Sequence, residues 1–438
     1  MVTLLSFLIL FSSTAFAKSN LVLERLPNGI KVYVLEDHNS PLVAIQICIA
    51  TGSVNEDYKT RGISHFIEHL LFKGTKKRKV GEIVRELDAI GANYNASTTH
   101  DYTRFIVTGA SCYFDKLLDI VVDGVLNSTL EKEEVEKERK VVIEEMKMDK
   151  NLFYNAVNRS LFDNLPYSFP IIGFQNIIEN VPRDVIYSYY KEKYQPQNIN
   201  VVIVGNIKPE TAIVKLREAF RESVSTSTPN EKFDASLEEP ISKPRYHEVR
   251  MDVEKTYLSI AYRGVPLDSP DRVPLEVLSA LLGRGDSSRF NRILKEKNKL
   301  VDFITTNSHN MNSAGSFYTI MALDEKNIEK AVDIYLKEIE AVRNGFFTDD
   351  ELERAKKQME SVFLFSQLSY NRAADYIGEI ITLANEAKYN SYVTDVKKIT
   401  KEDLKKATEK YLYPQGYSIV VLKPVKKNIR QGSEKVEK

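Results

Sequence analysis

Histidine is scarce in this 438-residue chain, and two of its six histidines stand four residues apart in His65-Phe66-Ile67-Glu68-His69. Imidazole nitrogen is a good ligand for Zn2+, and a carboxylate beside it can ligate the ion or move a proton. On a helix, positions i and i+4 lie one turn apart, so both rings can converge on one ion while Glu68 projects beside them. Hydrolytic metal chemistry would also need a third protein ligand and an open position for water. The plainer alternative is an amphipathic surface helix that carries two incidental histidines. A downstream carboxylate at the right place decides between them.

The element that must position these groups is a helix. Ile63, Phe66, Ile67, Leu70 and Leu71 fall on one face at helical spacing, opposite His65, Glu68 and His69, and Gly74 offers a helix stop. A second helix, N-capped at Thr129 and reaching about residue 149, carries Glu138, Glu144 and Glu145. Glu138 and Glu145 are two turns apart on one face, although a helix this charged is commonly just a solvated surface.

Around these two helices the chain reads as α+β. A hairpin is expected over 21–26 and 30–35 through Pro27-Asn28-Gly29, with further strands at 42–50, 93–99, 102–107 and 199–204. Helices are expected over 80–90, 114–126 and 182–194. Strands at 257–262 and 316–322 and helices at 273–282, 328–343, 349–366 and 401–411 repeat the order in the second half. Glu192-Lys193-Tyr194-Gln195-Pro196-Gln197 before an apolar run matches Glu409-Lys410-Tyr411-Leu412-Tyr413-Pro414-Gln415 before another, which points to internal duplication. The expected architecture is two homologous domains, each a mostly antiparallel β-sheet packed with α-helices, at 18–222 and 245–424. A Ser/Thr/Pro/Glu-rich linker at 223–244 joins them, and a polar tail occupies 425–438.

Composition narrows the function classes. Lys+Arg and Asp+Glu are both 61, so no global charge favours nucleic acid or an anionic membrane. Residues 1–17 are uncharged, largely apolar and end in Ala15-Phe16-Ala17, the form of a cleaved secretory leader without a basic start; a retained anchor is the alternative, although the apolar run is short for a membrane span. A periplasmic or secreted protein is expected. Cys48 and Cys112, the only two cysteines, exclude a disulfide scaffold, and Cys48 lies in an apolar run that suits a buried thiol.

The motif His65-x-x-Glu68-His69, H-E-x-x-H reversed, is joined by a Glu 76 residues beyond His69. With it stand Leu26-Pro27-Asn28-Gly29, Phe72-Lys73-Gly74-Thr75, Gly91-Ala92, Asn95-Ala96, Val141-Val142-Ile143-Glu144-Glu145 and Pro170-Ile171-Ile172-Gly173. This combination, spread over nearly all of the chain after the leader, resembles the insulinase/pitrilysin family of inverzincin zinc metallopeptidases. The resemblance implies Zn2+ held by His65, His69 and Glu145, with Glu68 as general base and Glu138 as a carboxylate behind the ligands. Sequence alone leaves Glu144 as a rival to Glu145, and the family spacing selects Glu145. The resemblance also implies that the strand around Asn95, Ala96 and Ser97 pairs with an extended peptide substrate.

One segment departs from the family pattern. Self-sufficient relatives carry an Arg and, seven residues later, a Tyr that hold substrate and oxyanion, and here those positions are Lys295 and Asp302. Loss of one oxyanion donor costs on the order of 10² to 10³ in rate. The implied remedy is a metal-less paralogous subunit forming a heterodimer, as in two-chain processing-peptidase-like members, with a homodimer as the other arrangement. The expectation is a zinc metalloendopeptidase acting on unfolded peptides. Its rivals are a non-catalytic assembly or scaffold subunit of the same fold and a metal-storage or sensing protein.

Overall fold

Residues 199–205, Ile-Asn-Val-Val-Ile-Val-Gly, are buried without exception, as a strand covered on both faces of its sheet must be. The sheet around it belongs to a computed structural model describing residues 21–148, 151–221, 223, 232–234 and 238–425. The expected leader at 1–17, much of the expected linker, and the expected tail beyond Val425 lie outside these residues.

The first half runs β1 (Leu21–Arg25), β2 (Lys31–Glu36), β3 (Leu42–Ile49), α1 (Ile63–Leu70), α2 (Glu82–Ala89), β4 (Asn93–Thr98) and β5 (Thr103–Ala110). It continues with α3 (Phe114–Leu126), α4 (Lys132–Lys147), α5 (Leu152–Leu161), α6 (Gln175–Asn180), α7 (Arg183–Lys193), β6 (Ile199–Gly205) and α8 (Pro209–Ala219). The second half runs β7 (Arg245–Met251), β8 (Thr256–Gly264), α9 (Arg272–Gly283), a π-helical stretch Asn291–Lys297, β9 (Phe303–Asn310) and β10 (Gly315–Leu323). Then follow α10 (Ile328–Arg343), α11 (Asp349–Ser366), α12 (Tyr370–Leu383), α13 (Glu386–Lys398), α14 (Lys401–Tyr411) and β11 (Tyr417–Pro424).

The sheet orders are β1-β2-β6-β3-β5-β4 and β7-β11-β8-β10-β9. In each half the last strand inserts parallel beside an early one, β6 on β2 and β11 on β7, and every other pairing is antiparallel. The two homologous α+β units share this topology, with β1 as the addition in the first. α9 follows β8 as α1 follows β3, but α9 carries no histidine.

Each half also covers the other. The first sheet's inner face packs Val32, Val34, Ile45 and Ile47 against Phe66, Ile67 and Leu70 of α1 and Leu118 and Val121 of α3. Its opposite face, with Ala44, Ile106, Val202 and Val204, is closed by Ala373, Ala374, Ile377 and Ile381 of α12 from the second half. Reciprocally, Val157 and Leu161 of α5 from the first half pack on Ala261, Ile320 and Val420 of the second sheet. Each fully buried apolar side chain contributes roughly 1.5–3 kcal/mol, so the exchange binds the halves together.

Two local expectations differ. The second charged helix starts at Lys132 rather than after a Thr129 cap, because Leu130 sits at φ +46° and the Thr129 carbonyl accepts from Arg183. α1 ends before Gly74, which instead takes φ +138° in the following loop. The sequence reading also passes over α5, α6, α8, β7, β9, α12 and α13. Strands β7 and β9 are partly exposed and rich in polar residues, so their alternation is weak. Cys48 is buried and Cys112 exposed, and both are free thiols. Among the described residues no helix is long and apolar enough to cross a membrane.

Candidate metal centre

α1 is anchored at its start by a carboxylate from the loop just before it. The buried carboxylate of Glu56 accepts from the Gly62 and Ser64 amides, each at 2.8 Å, satisfying two of the helix's open donors. Burial pushes the Glu56 carboxyl up to about 7 in spite of these bonds. Gly62, at φ +98°, lies against Gly173, at φ +80°. A Cβ at position 62 would stand 2.5 Å from the Ile172 carbonyl oxygen, and one at 173 would stand 2.3 Å from that of Arg61. Only glycine permits both the backbone angle and the contact. With Ile63, Phe66, Ile67 and Leu70 fully buried beneath, the histidine face is fixed in direction.

α4 crosses α1 and supplies the carboxylates. Val135 and Val142 enter the same core as Phe66, and the Arg139 guanidinium, 5.5 Å from the Phe66 ring, donates to the carbonyls of Ile178 and Val181. This places Glu145 Oε2 at 3.4 Å from His69 Nε2 and 3.8 Å from His65 Nε2. One donor atom from each of His65, His69 and Glu145 lies within 4.8 Å of the others. Tetrahedral ligands about 2 Å from an ion lie roughly 3.3 Å apart, so modest adjustment would let this set hold Zn2+. Glu144 turns outward and pairs with Lys147 at 2.6 Å.

The surroundings of the two histidines suit a metal. Burial, with His69 as neighbour, lowers His65 to about 4, so the ring is neutral near pH 7 with a lone pair free. Glu138 Oε2 stands 3.4 Å from His69 Nδ1, while its Oε1 takes Lys73 Nζ at 2.7 Å. A carboxylate there favours the proton on Nδ1 and leaves Nε2 for an ion.

Glu68 is mostly buried, which raises its carboxyl, and Thr98 opposes that shift by donating Oγ1–H to Oε2 at 2.6 Å. Thr98 ends β4, which pairs only with β5, so its outer row of amides and carbonyls has no strand partner among the described residues. Asn95 is exposed on that strand, Ala96 packs toward the first-half core, and Ser97 accepts from Arg104 Nε at 2.7 Å on the other face. The structure thus gathers His65, Glu68, His69, Glu138 and Glu145 at one end of β4. Thr98 and Glu56 escaped the sequence reading, since nothing in a short polar strand or a loop carboxylate marks a contact with α1.

In the second half, Lys295 lies in the π-helical stretch, its Nζ 3.9 Å from Asp286 Oδ1. Asp302 forms an exposed ion pair with Lys255 just before β9. A carboxylate so placed offers no hydrogen-bond donor.

Two family models match the chain. "Insulinase (Peptidase family M16)" covers residues 31–172 and "Peptidase M16 inactive domain" covers residues 180–359. A protein of Rickettsia bellii named "Uncharacterized zinc protease" is 27% identical over 382 residues, 86% of this chain and 90% of that protein. "Mitochondrial-processing peptidase subunit beta" of Lentinula edodes is 27% identical over 415 residues, 90% of this chain and 88% of that protein. Among solved structures, a protease from Helicobacter pylori superposes with a TM-score of 0.85 at 24% identity, covering 93% of this chain and 100% of the other.

Proposed function

The chain belongs to the insulinase family of M16 peptidases, and we propose that it is the metal-bearing chain of a zinc-dependent endopeptidase acting on unfolded peptides. The observation that carries this reading is the convergence of His65, His69 and Glu145 beside Glu68, at the end of an edge strand open to an extended chain. Zn2+ bound there would polarise a scissile carbonyl as a Lewis acid and bring the pKa of a bound water to about 7. His65 and His69 would offer Nε2 atoms and Glu145 a carboxylate oxygen. Glu138 orients His69. Glu68, with one oxygen held by Thr98, is placed to take a proton from attacking water and pass it to the leaving amine. β4, through Asn95, Ala96 and Ser97, offers backbone pairing that binds peptides with little demand on their sequence.

In this reading the oxyanion donor comes from elsewhere, because Asp302 stands where a tyrosine would serve. A metal-less paralogous subunit, or a second copy of the chain, would complete the site. Relatives named as the beta subunit of a processing peptidase support a two-chain arrangement. The apolar leader at 1–17 supports export to the periplasm or medium.

The test is cleavage of a mixed quenched-peptide library by the zinc-loaded chain, alone and with any co-purifying paralogue, with Glu68→Gln as control. Cleavage that needs the second chain and vanishes in the control supports the reading in full. Glu68-dependent cleavage by a monomer would remove the partner. No cleavage in either state would favour a scaffold subunit.

A further inference from the structure

Ser97 and Thr98 are consecutive on β4, so their side chains leave opposite faces of the first sheet. Thr98 reaches Glu68 on the α1 side. Ser97 lies directly across the ladder from Arg104 of β5 and accepts from its Nε. The Arg104 guanidinium then stands 2.6 Å from Asp375 Oδ1 on α12, which belongs to the second half. Tyr102 and Ile106 flank Arg104, and Ala374 flanks Asp375, so the ion pair sits within an apolar seam and only about a quarter to a third of each side chain is exposed.

An edge strand has one ladder to hold it, and side-chain anchors fix the rest of its position. β4 has two anchors at its last two residues, one on each face, at the end nearest the metal donors. The anchor on the outer face is the one that crosses between halves.

We propose that Asp375, acting through Arg104 and Ser97, is a positioning residue for the peptide-binding edge of β4, so that the half without metal donors presets the strand on which the other half takes its substrate. This rests on the peptidase reading above. A preset strand lowers the ordering cost of binding, and only a peptide that pairs along the strand benefits. A tripeptide engaging the metal end gains nothing from it.

The experiment uses the full zinc-loaded chain on a Glu68→Gln background, so that nothing is cleaved. Two labelled probes are titrated, an unstructured peptide long enough to pair along all six residues of β4 and a tripeptide. Asp375→Asn and Arg104→Met should each weaken the long peptide about tenfold, near the effect of one charge-assisted hydrogen bond, and leave the tripeptide unchanged. Arg104→Lys, which keeps the charge but loses the Nε bond, should fall between. Exchange of the β4 amides paired to β5 should quicken in the same order. Melting curves exclude variants that fail to fold, and Asp375→Asn, the mildest change, serves if Arg104→Met does. Equal weakening of both probes would make the pair merely structural and overturn the inference. So would unchanged long-peptide binding by Asp375→Asn in a chain whose Glu68 form cleaves peptides, which leaves the peptidase reading standing. A zinc-loaded chain that binds neither probe would overturn both.

Discussion

Thr98 Oγ1 lies 2.6 Å from Glu68 Oε2, so the carboxylate proposed as general base is held by the last residue of an edge strand. The proposed base and the proposed binding strand are joined by this hydrogen bond. The strand's other face is tied through Ser97 and Arg104 to the second half.

Thr98→Val removes the bond to Glu68 and keeps the shape. Turnover should fall roughly tenfold with KM little changed, while Thr98→Ser retains most of it, because the loss is of orientation rather than binding. Steady-state kinetics on one peptide substrate would show the split, and a loss confined to KM would contradict it.

Metal retention should discriminate between neighbouring carboxylates. Glu145→Gln should lose more than about 100-fold in zinc affinity and Glu138→Gln about 10- to 100-fold, as expected for a ligand and for the carboxylate behind one. Glu144→Gln, paired outward with Lys147, should change nothing. Competition with a chromophoric chelator gives the three affinities.

His100 is buried where the β4–β5 turn meets the Phe169 carbonyl, and burial lowers it to about 4. The unfolded chain takes up this proton near pH 6.5 and the folded chain does not, so its stability is complete above that value and is lost as pH falls toward 4. Depression by this much corresponds to about 3 kcal/mol. His100→Gln should flatten the decline, and melting curves of both proteins between these limits would show the difference or its absence.

Gly62→Ala tests the backbone under the metal helix. The added methyl meets the Ile172 carbonyl at 2.5 Å and the residue must keep φ +98°, so destabilisation of about 3 kcal/mol or more is expected, with weakened zinc binding. Thermal unfolding and zinc titration measure the two effects, and a variant as stable as the parent would show that the loop at 172–173 yields.

Much of this protein is determined within short stretches of its sequence. His65, Glu68 and His69 share a helix face because of their spacing, the apolar stripe of α1 follows from the same periodicity, and recurrent strand-and-helix order betrays the duplicated α+β units. These are properties of residues a few positions apart, where helix and strand geometry alone sets direction. The tertiary structure decided what depends on elements distant in the chain. How α4 crosses α1 turns Glu145 toward His65 and His69 and Glu144 toward Lys147. Packing of β4 beside α1 gives Glu68 its Thr98 partner, and the exchange of α5 and α12 between halves brings Asp375 to Arg104. No local pattern encodes such choices, because each is fixed by burying two apolar faces against one another, and the polar contacts follow from where those faces meet.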